Sequence, residues 1–146
     1  MRAVVQRVSS ASVKVDNKTV GKCGVGLLVL VAAHKDDTSE SAVKLARKTA
    51  TLRIFNDESG KMNLALADIP DSGVLAVSNF TVYGDASGQR RPSFVEAAPF
   101  EQGKDLFEAF VEALRKQGIE TQTGLFGADM QVALVNDGPV TIIVET

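Results

Sequence analysis

Val25-Gly26-Leu27-Leu28-Val29-Leu30-Val31-Ala32-Ala33 is the stretch that decides the fold. It holds no polar side chain, is rich in valine and leucine, and begins at a pair of glycines, Gly24 and Gly26. A bilayer span needs about 20 apolar residues, roughly twice this run. A half-buried strand would alternate apolar with polar, and this one does not. It reads as a short strand covered on both faces, so the remaining chain must supply two covering layers. On the N-terminal side, Ala11, Val13 and Val15 alternate with Ser12, Lys14 and Asp16. Asp16-Asn17-Lys18 supplies turn residues and Thr19-Val20 starts a return, which predicts a hairpin. On the C-terminal side, Asp37 with Glu40 three residues on predicts a helix start. Ala42, Leu45, Ala46 and Ala50 follow at helical spacing.

Further out, Leu52–Phe55 and Val74–Phe80 read as strands, Asp57–Gly60 as a turn, and Gly84–Pro92, with Arg90 and Arg91, as an exposed loop. Pro99 suits a first helical turn. Leu106, Phe107, Phe110, Val111 and Leu114 give that second helix an apolar stripe, and Gly118 ends it. Three closing strands are expected at Ile119–Gly124, Met130–Val135 and Val140–Glu145, with Asn136-Asp137-Gly138-Pro139 between the last two. The pattern predicts one α/β domain over residues 1–146: mixed sheets forming a barrel-like β core, with two main helices packed outside.

Composition narrows the function. A chain of 146 residues suits one domain. The N-terminus runs straight into strand-like alternation, without the regions of a signal peptide. The single cysteine, Cys23, excludes an internal disulfide and a thiolate metal cage. A cytoplasmic protein that makes no use of the membrane is expected. A net charge of −2 argues against extensive coating of duplex phosphates and leaves room for a local contact with a nucleic acid end.

Most catalytic apparatus is missing from the sequence. A histidine-dependent triad would have to use His34, the sole histidine, and a lone loop histidine is usually a surface residue. Cys23 has no base near it in sequence and reads as a small hairpin residue. No H-E-x-x-H, P-loop, strand-borne G-x-G-x-x-G or metal-spaced cluster is present. What remains is hydroxyls, amides and glycines at strand ends. Ser78-Asn79-Phe80-Thr81 ends an apolar strand, where α/β proteins commonly place ligands; equally, Thr81 favours strands and Ser78 can pack or cap. Asn136-Asp137-Gly138-Pro139 has the residues of an ordinary tight turn. Gly124–Met130 carries Phe126 and Met130 between glycines, which line a pocket or merely pack.

At these residues the chain resembles the D-aminoacyl-tRNA deacylases. Ser78-Asn79-Phe80-Thr81 stands where that family has Ser-Gln-Phe-Thr, and Asn136–Thr141 matches its Asn-x-Gly-Pro-Val-Thr throughout. Met1–Val8, Leu52–Phe55, Gly60–Asn63, Arg91–Phe94 and Phe126–Val132 are similar to family segments in family order. The resemblance implies hydrolysis of the ester between a D-amino acid and the 3′-terminal ribose of tRNA, with glycyl-tRNA as a second substrate. It implies a homodimer with active sites at the interface and a cis Gly138-Pro139 peptide that reaches into the partner's pocket. There its carbonyls would face the substrate amino group and leave no space for an L side chain. Ser78, Phe80 and Thr81 are then the catalytic candidates, with backbone N–H groups near Phe80 and Thr81 stabilising the oxyanion. Asn79, Phe126, Met130, Asn136, Gly138, Pro139 and Thr141 are candidates for binding substrate. Water attack helped by the substrate's 2′-hydroxyl is expected, without cofactor or metal. Asn79 departs from the family's glutamine by one methylene. The alternatives are an editing deacylase of different specificity and a nucleic-acid-binding module without activity.

Overall fold

The computed structural model describes residues 1–146. The opening stretch and the first alternating segment form a single strand, β1 (Arg2–Val15), with Ala3, Val5, Val8, Ala11 and Val13 buried. Asp16 and Asn17 turn the chain at φ 48° and 62°, a left-handed geometry that asparagine and aspartate tolerate better than most residues. β2 (Lys18–Cys23) and β3 (Gly26–Ala32) return along one edge of β1. Ala11 pairs with Cys23 and Val8 with Gly26, so β2 and β3 act as one interrupted arm of a long hairpin.

β3 is covered on both faces, as its sequence requires. Leu27, Val29 and Val31 enter the main core under the helices. Leu28 enters a second cluster with Val8, Val13, Leu75 and Val77 on the opposite face, where Leu30 also packs. The chain then forms α1 (Ser39–Thr51), the short pair β4 (Phe55–Asn56) and β5 (Met62–Leu64), and β6 (Gly73–Ser78). After a 3-10 turn at Phe80–Tyr83 come α2 (Phe100–Lys116), β7 (Glu120–Thr123) and β8 (Gln131–Glu145). β6 runs parallel to β3, and β7 parallel to β6. Parallel neighbours need long crossovers, and α1 and α2 lie within them. β8 is antiparallel to β1 along its other edge. The Lys22 N–H donates to Gln122 Oε1 at 2.9 Å, which draws β2 toward β7 and curls the mixed sheet into a nearly closed barrel-like form. No helix is long and apolar enough to cross a membrane.

Local details differ from the sequence expectation. α1 is capped by Thr38, not Asp37; the Thr38 N–H donates to Ser41 Oγ at 3.4 Å. Asp37 is committed elsewhere, accepting from the Met1 ammonium and from the His34 N–H, both at 2.6 Å. Of the expected Leu52–Phe55 strand only Phe55 is paired, because Ile54 and Phe55 turn into the core. β6 stops at Ser78, and Phe80 already belongs to the 3-10 turn. The two closing strands expected after Met130 are one strand, β8, with an outward bulge where Asn136–Pro139 had been expected to separate them.

Candidate active site

The carboxyl ends of the three parallel strands meet at a cavity of about 660 Å³. Open α/β sheets bind ligands beyond such strand ends. Leu30 and Val31 from β3 and Val77 from β6 contribute to its floor. Pro99, Phe100, Gly103 and Phe107, at the start of α2, form one wall; Phe126 to Met130, after β7, form another. Phe126 stacks edge-on to Phe100, with ring centroids 5.1 Å apart, and Phe100 lies over Gly127. A side chain at Gly127 would be strained at φ +77 and would strike that ring at 2.8 Å.

The cavity unites one group of expected residues. Ser78, Asn79, Phe80, Thr81, Phe126 and Met130 all line it. The Asn79 N–H donates to Val31 O at 2.8 Å, tying the end of β6 to β3. Asn79 Oδ1 then accepts from the Thr81 N–H at 3.2 Å and from the Thr81 hydroxyl at 2.5 Å. This side-chain cap sets the 3-10 turn on which Phe80 and Thr81 sit, both exposed. The Thr81 N–H is therefore occupied within the chain. Asp129 is the only carboxylate among the lining residues, which include no histidine or cysteine.

The Phe80–Tyr83 turn is held at its far end by residues that sequence reading missed. Arg2 donates from Nη1 to Val82 O at 3.1 Å, lies 4.7 Å from the centre of the Tyr83 ring, and ion-pairs with Glu145. Burial is the main cause that pushes the Tyr83 hydroxyl up to about 12, so it stays protonated at neutral pH. His34 packs against Tyr83 and bonds Glu96 Oε2 at 2.8 Å. The Cys23 thiol is pushed up by burial, the opposite of what a nucleophile needs.

Asn136, Gly138, Pro139 and Thr141 line a different part of the molecule. Val8 pairs with Asn136 and Gln6 with Thr141. Between those pairs β1 has one residue, Arg7, and β8 has four, Asp137 to Val140. The surplus bulges outward, and Gly138 and Pro139 are exposed. A proline fits a bulge because the ladder needs no N–H there. The Gly138-Pro139 peptide is cis. Gly138 has φ +124, and a Cβ there would sit 2.7 Å from Val140 Cγ2 and 3.0 Å from Arg7 Nη2, so only glycine fits.

Two polar anchors hold this bulge. Asn136 Nδ2 donates to Arg7 O and Val140 O, both at 2.9 Å, and the Thr141 hydroxyl donates to Asn136 Oδ1 at 3.3 Å. Arg7, only 6% exposed, donates to Asp137 O at 3.3 Å and Ile54 O at 2.7 Å, and pairs with Asp137 Oδ2 at 3.1 Å. Arg7 was also missed from sequence, although it left a signal: it falls in the inward phase of β1, after Ala3 and Val5, where an arginine is rare unless paired.

A cavity at parallel strand ends and an exposed cis Gly-Pro bulge define the chain's class: an α/β protein with a preformed cavity where such sheets commonly take ligands. Residues 4–145 match the family described as D-Tyr-tRNA(Tyr) deacylase. A D-aminoacyl-tRNA deacylase of Thermotoga petrophila is 58% identical over 146 residues, covering 100% of this chain and 97% of that one. One from Geobacter sulfurreducens is 54% identical, covering 100% and 95%. Among solved structures, a c-Myc DNA unwinding element binding protein superposes with a TM-score of 0.92 at 39% identity, covering 100% and 99% of the two chains. The chain belongs to the D-Tyr-tRNA(Tyr) deacylase family.

Proposed function

We propose that this chain hydrolyses D-aminoacyl-tRNA to free D-amino acid and tRNA, as its relatives' names say of them, and that it also accepts glycyl-tRNA mischarged on alanine tRNA. The observation that carries the chiral part is the separation of the two motifs. The cavity holds Ser78, Asn79, Phe80 and Thr81, whereas Gly138 and Pro139 are exposed on a bulge outside it. A rigid, outward-pointing peptide with no task in its own cavity suits insertion into the cavity of a second copy. β8 supports that arrangement: only β1 pairs with it, and Leu134, Val135 and Ile143 are exposed along it.

In the proposed homodimer, the partner's Gly-Pro carbonyls would face the substrate ammonium and exclude an L side chain, discrimination by clash rather than by extra attraction. Glycine, having no side chain, would pass. Phe126 and Met130 would take the terminal adenosine. Arg90 and Arg91, on the exposed loop, are candidates for phosphate contacts. Hydrolysis of the ester develops an oxyanion, and one preorganised donor is typically worth about 3 kcal/mol; the Phe80 N–H, at the start of the turn beside the cavity, is the candidate for that work. No lining side chain except Asp129 could act as a base, so the attacking water is best activated by the substrate's own 2′-hydroxyl.

The test is a time course of ester loss on tRNA charged with D-tyrosine, L-tyrosine or glycine, with a chelator present. Loss of the D and glycyl esters with the L ester spared is expected. Equal loss of D and L esters would overturn the chiral reading.

A further inference from the structure

We propose that Asn79 is a positioning residue that fixes the Thr81 hydroxyl as a hydrogen-bond acceptor toward the substrate. The inference rests on the deacylase reading and concerns how its site is wired. Its basis is the direction of two hydrogen bonds. A backbone N–H can only donate, so the Asn79 atom 3.2 Å from the Thr81 N–H must be the amide oxygen. The Thr81 hydroxyl lies 2.5 Å from that same oxygen. An amide oxygen carries no hydrogen, so the hydroxyl must donate to it. A hydroxyl has one hydrogen and two lone pairs. With the hydrogen committed, Thr81 presents only lone pairs to the cavity.

This decides what Thr81 does. It can accept from the substrate ammonium, the ribose 2′-hydroxyl or the attacking water. It cannot donate to the oxyanion, and its own N–H is equally committed, which leaves that task to another donor, for which the Phe80 N–H at the start of the turn is the candidate. The arrangement needs asparagine. Its oxygen reaches back to the N–H two residues on, the short closure that Asn and Asp side chains form. Asn79 is itself anchored through its N–H to Val31 O at 2.8 Å, and its carbonyl accepts from the Val82 N–H at 3.2 Å. Glutamine, one methylene longer, does not make this closure and would release the Thr81 hydroxyl to rotate.

The test is steady-state kinetics on D-tyrosyl-tRNA for the wild type and the variants N79A, N79D, N79Q, T81V and N79A/T81V. N79A should lower kcat about 10-fold with a smaller change in KM, since the groups affected act on the reacting atoms. N79D, which keeps the acceptor, should restore most of the rate; N79Q, which keeps the amide but loses the closure, should not. Because Asn79 acts through Thr81, the N79A effect should shrink to about 2-fold or less in the T81V background. Melting temperatures monitor the fold throughout. Unchanged kcat in N79A, rescue by N79Q as good as by N79D, or additive effects in the double variant would each overturn the inference while leaving the deacylase reading intact. An inactive wild type would overturn both.

Discussion

β3 and the Asn136–Thr141 bulge both lie against β1, one on each edge, and they are built on opposite principles. β3 is buried nearly end to end, and its side chains from Leu27 to Val31 each pack into one of the two cores. In the bulge, Asp137, Gly138, Pro139 and Thr141 are all exposed, yet Asn136 and Arg7 fix it through three hydrogen bonds to the carbonyls of Arg7, Asp137 and Val140, while Arg7 is itself anchored to Ile54 O and Asn56 Oδ1. Rigidity without burial contributes little to stability. Under the chiral discrimination proposed above, it makes sense as a template held ready for something else to fit against.

The comparison can be broken by substitution. Leu28→Ala, in the core of β3, should cost about 2–5 kcal/mol in urea denaturation, with activity falling only as far as the folded fraction falls. Gly138→Val should do the reverse. Its strain sits on an exposed bulge and should cost about 1–3 kcal/mol, while displacement of the Gly-Pro carbonyls should reduce deacylation about 100-fold or more. If Gly138→Val changed stability alone, the bulge would be ordinary structure. Asp129→Asn sharpens the same account on the cavity side: with the substrate hydroxyl activating water, the rate should change less than about 3-fold, and a far larger loss would make Asp129 the base.

The smallest effect lies in the β4–β5 turn. Asp57 Oδ1 accepts from the Ser59 hydroxyl at 2.6 Å and from the Lys61 and Ser59 N–H groups. The Ser59 hydroxyl first, then these N–H groups, hold its carboxyl below the usual carboxylate range. A depressed folded value means that the contribution is present above the ordinary range and fades as pH falls through the lowered one. Asp57→Ala should therefore lower the urea midpoint slightly near neutrality, and its difference from the wild type should shrink as pH falls from about 6 to about 3.

The two regions also show what a sequence discloses. β3 was legible because burial on two faces leaves only apolar residues, a pattern with one reading. α2 was legible from its stripe and from Gly118, which takes φ +78 at its end. The cavity was half legible. Ser78, Asn79, Phe80, Thr81, Phe126 and Met130 do converge, but periodicity alone left packing and function even; the resemblance decided between them. Pro99 was read only as a helix start, and Phe100 was not read at all, because nothing local shows that α2 begins at the mouth of a cavity. Arg2 and Arg7 were missed for the same reason: their partners, Val82, Glu145, Asp137 and Ile54, are far away in sequence. The Asp37 cap failed because the chain's own N-terminus competes for that carboxylate. The division of β8 into two strands failed because Asn-Asp-Gly-Pro makes a bulge as readily as a turn, and only the register with β1 distinguishes them.

The account's central claim is that the bulge of one copy completes the cavity of another, and subunit mixing tests it most directly. One variant is Gly138→Val, with a spoiled bulge and an intact cavity. The other is Gly103→Phe, whose new side chain would grow toward Phe126, 3.6 Å from the present position of a Cβ, and fill the cavity while the bulge stays intact. Each alone should be inactive on D-tyrosyl-tRNA. Co-expressed, they should recover about a quarter of the wild-type rate, since random pairing makes half the dimers mixed and each mixed dimer has one complete site of two. No recovery, with mixed dimers shown to form, would mean that each chain's bulge serves its own cavity, and the account would be wrong.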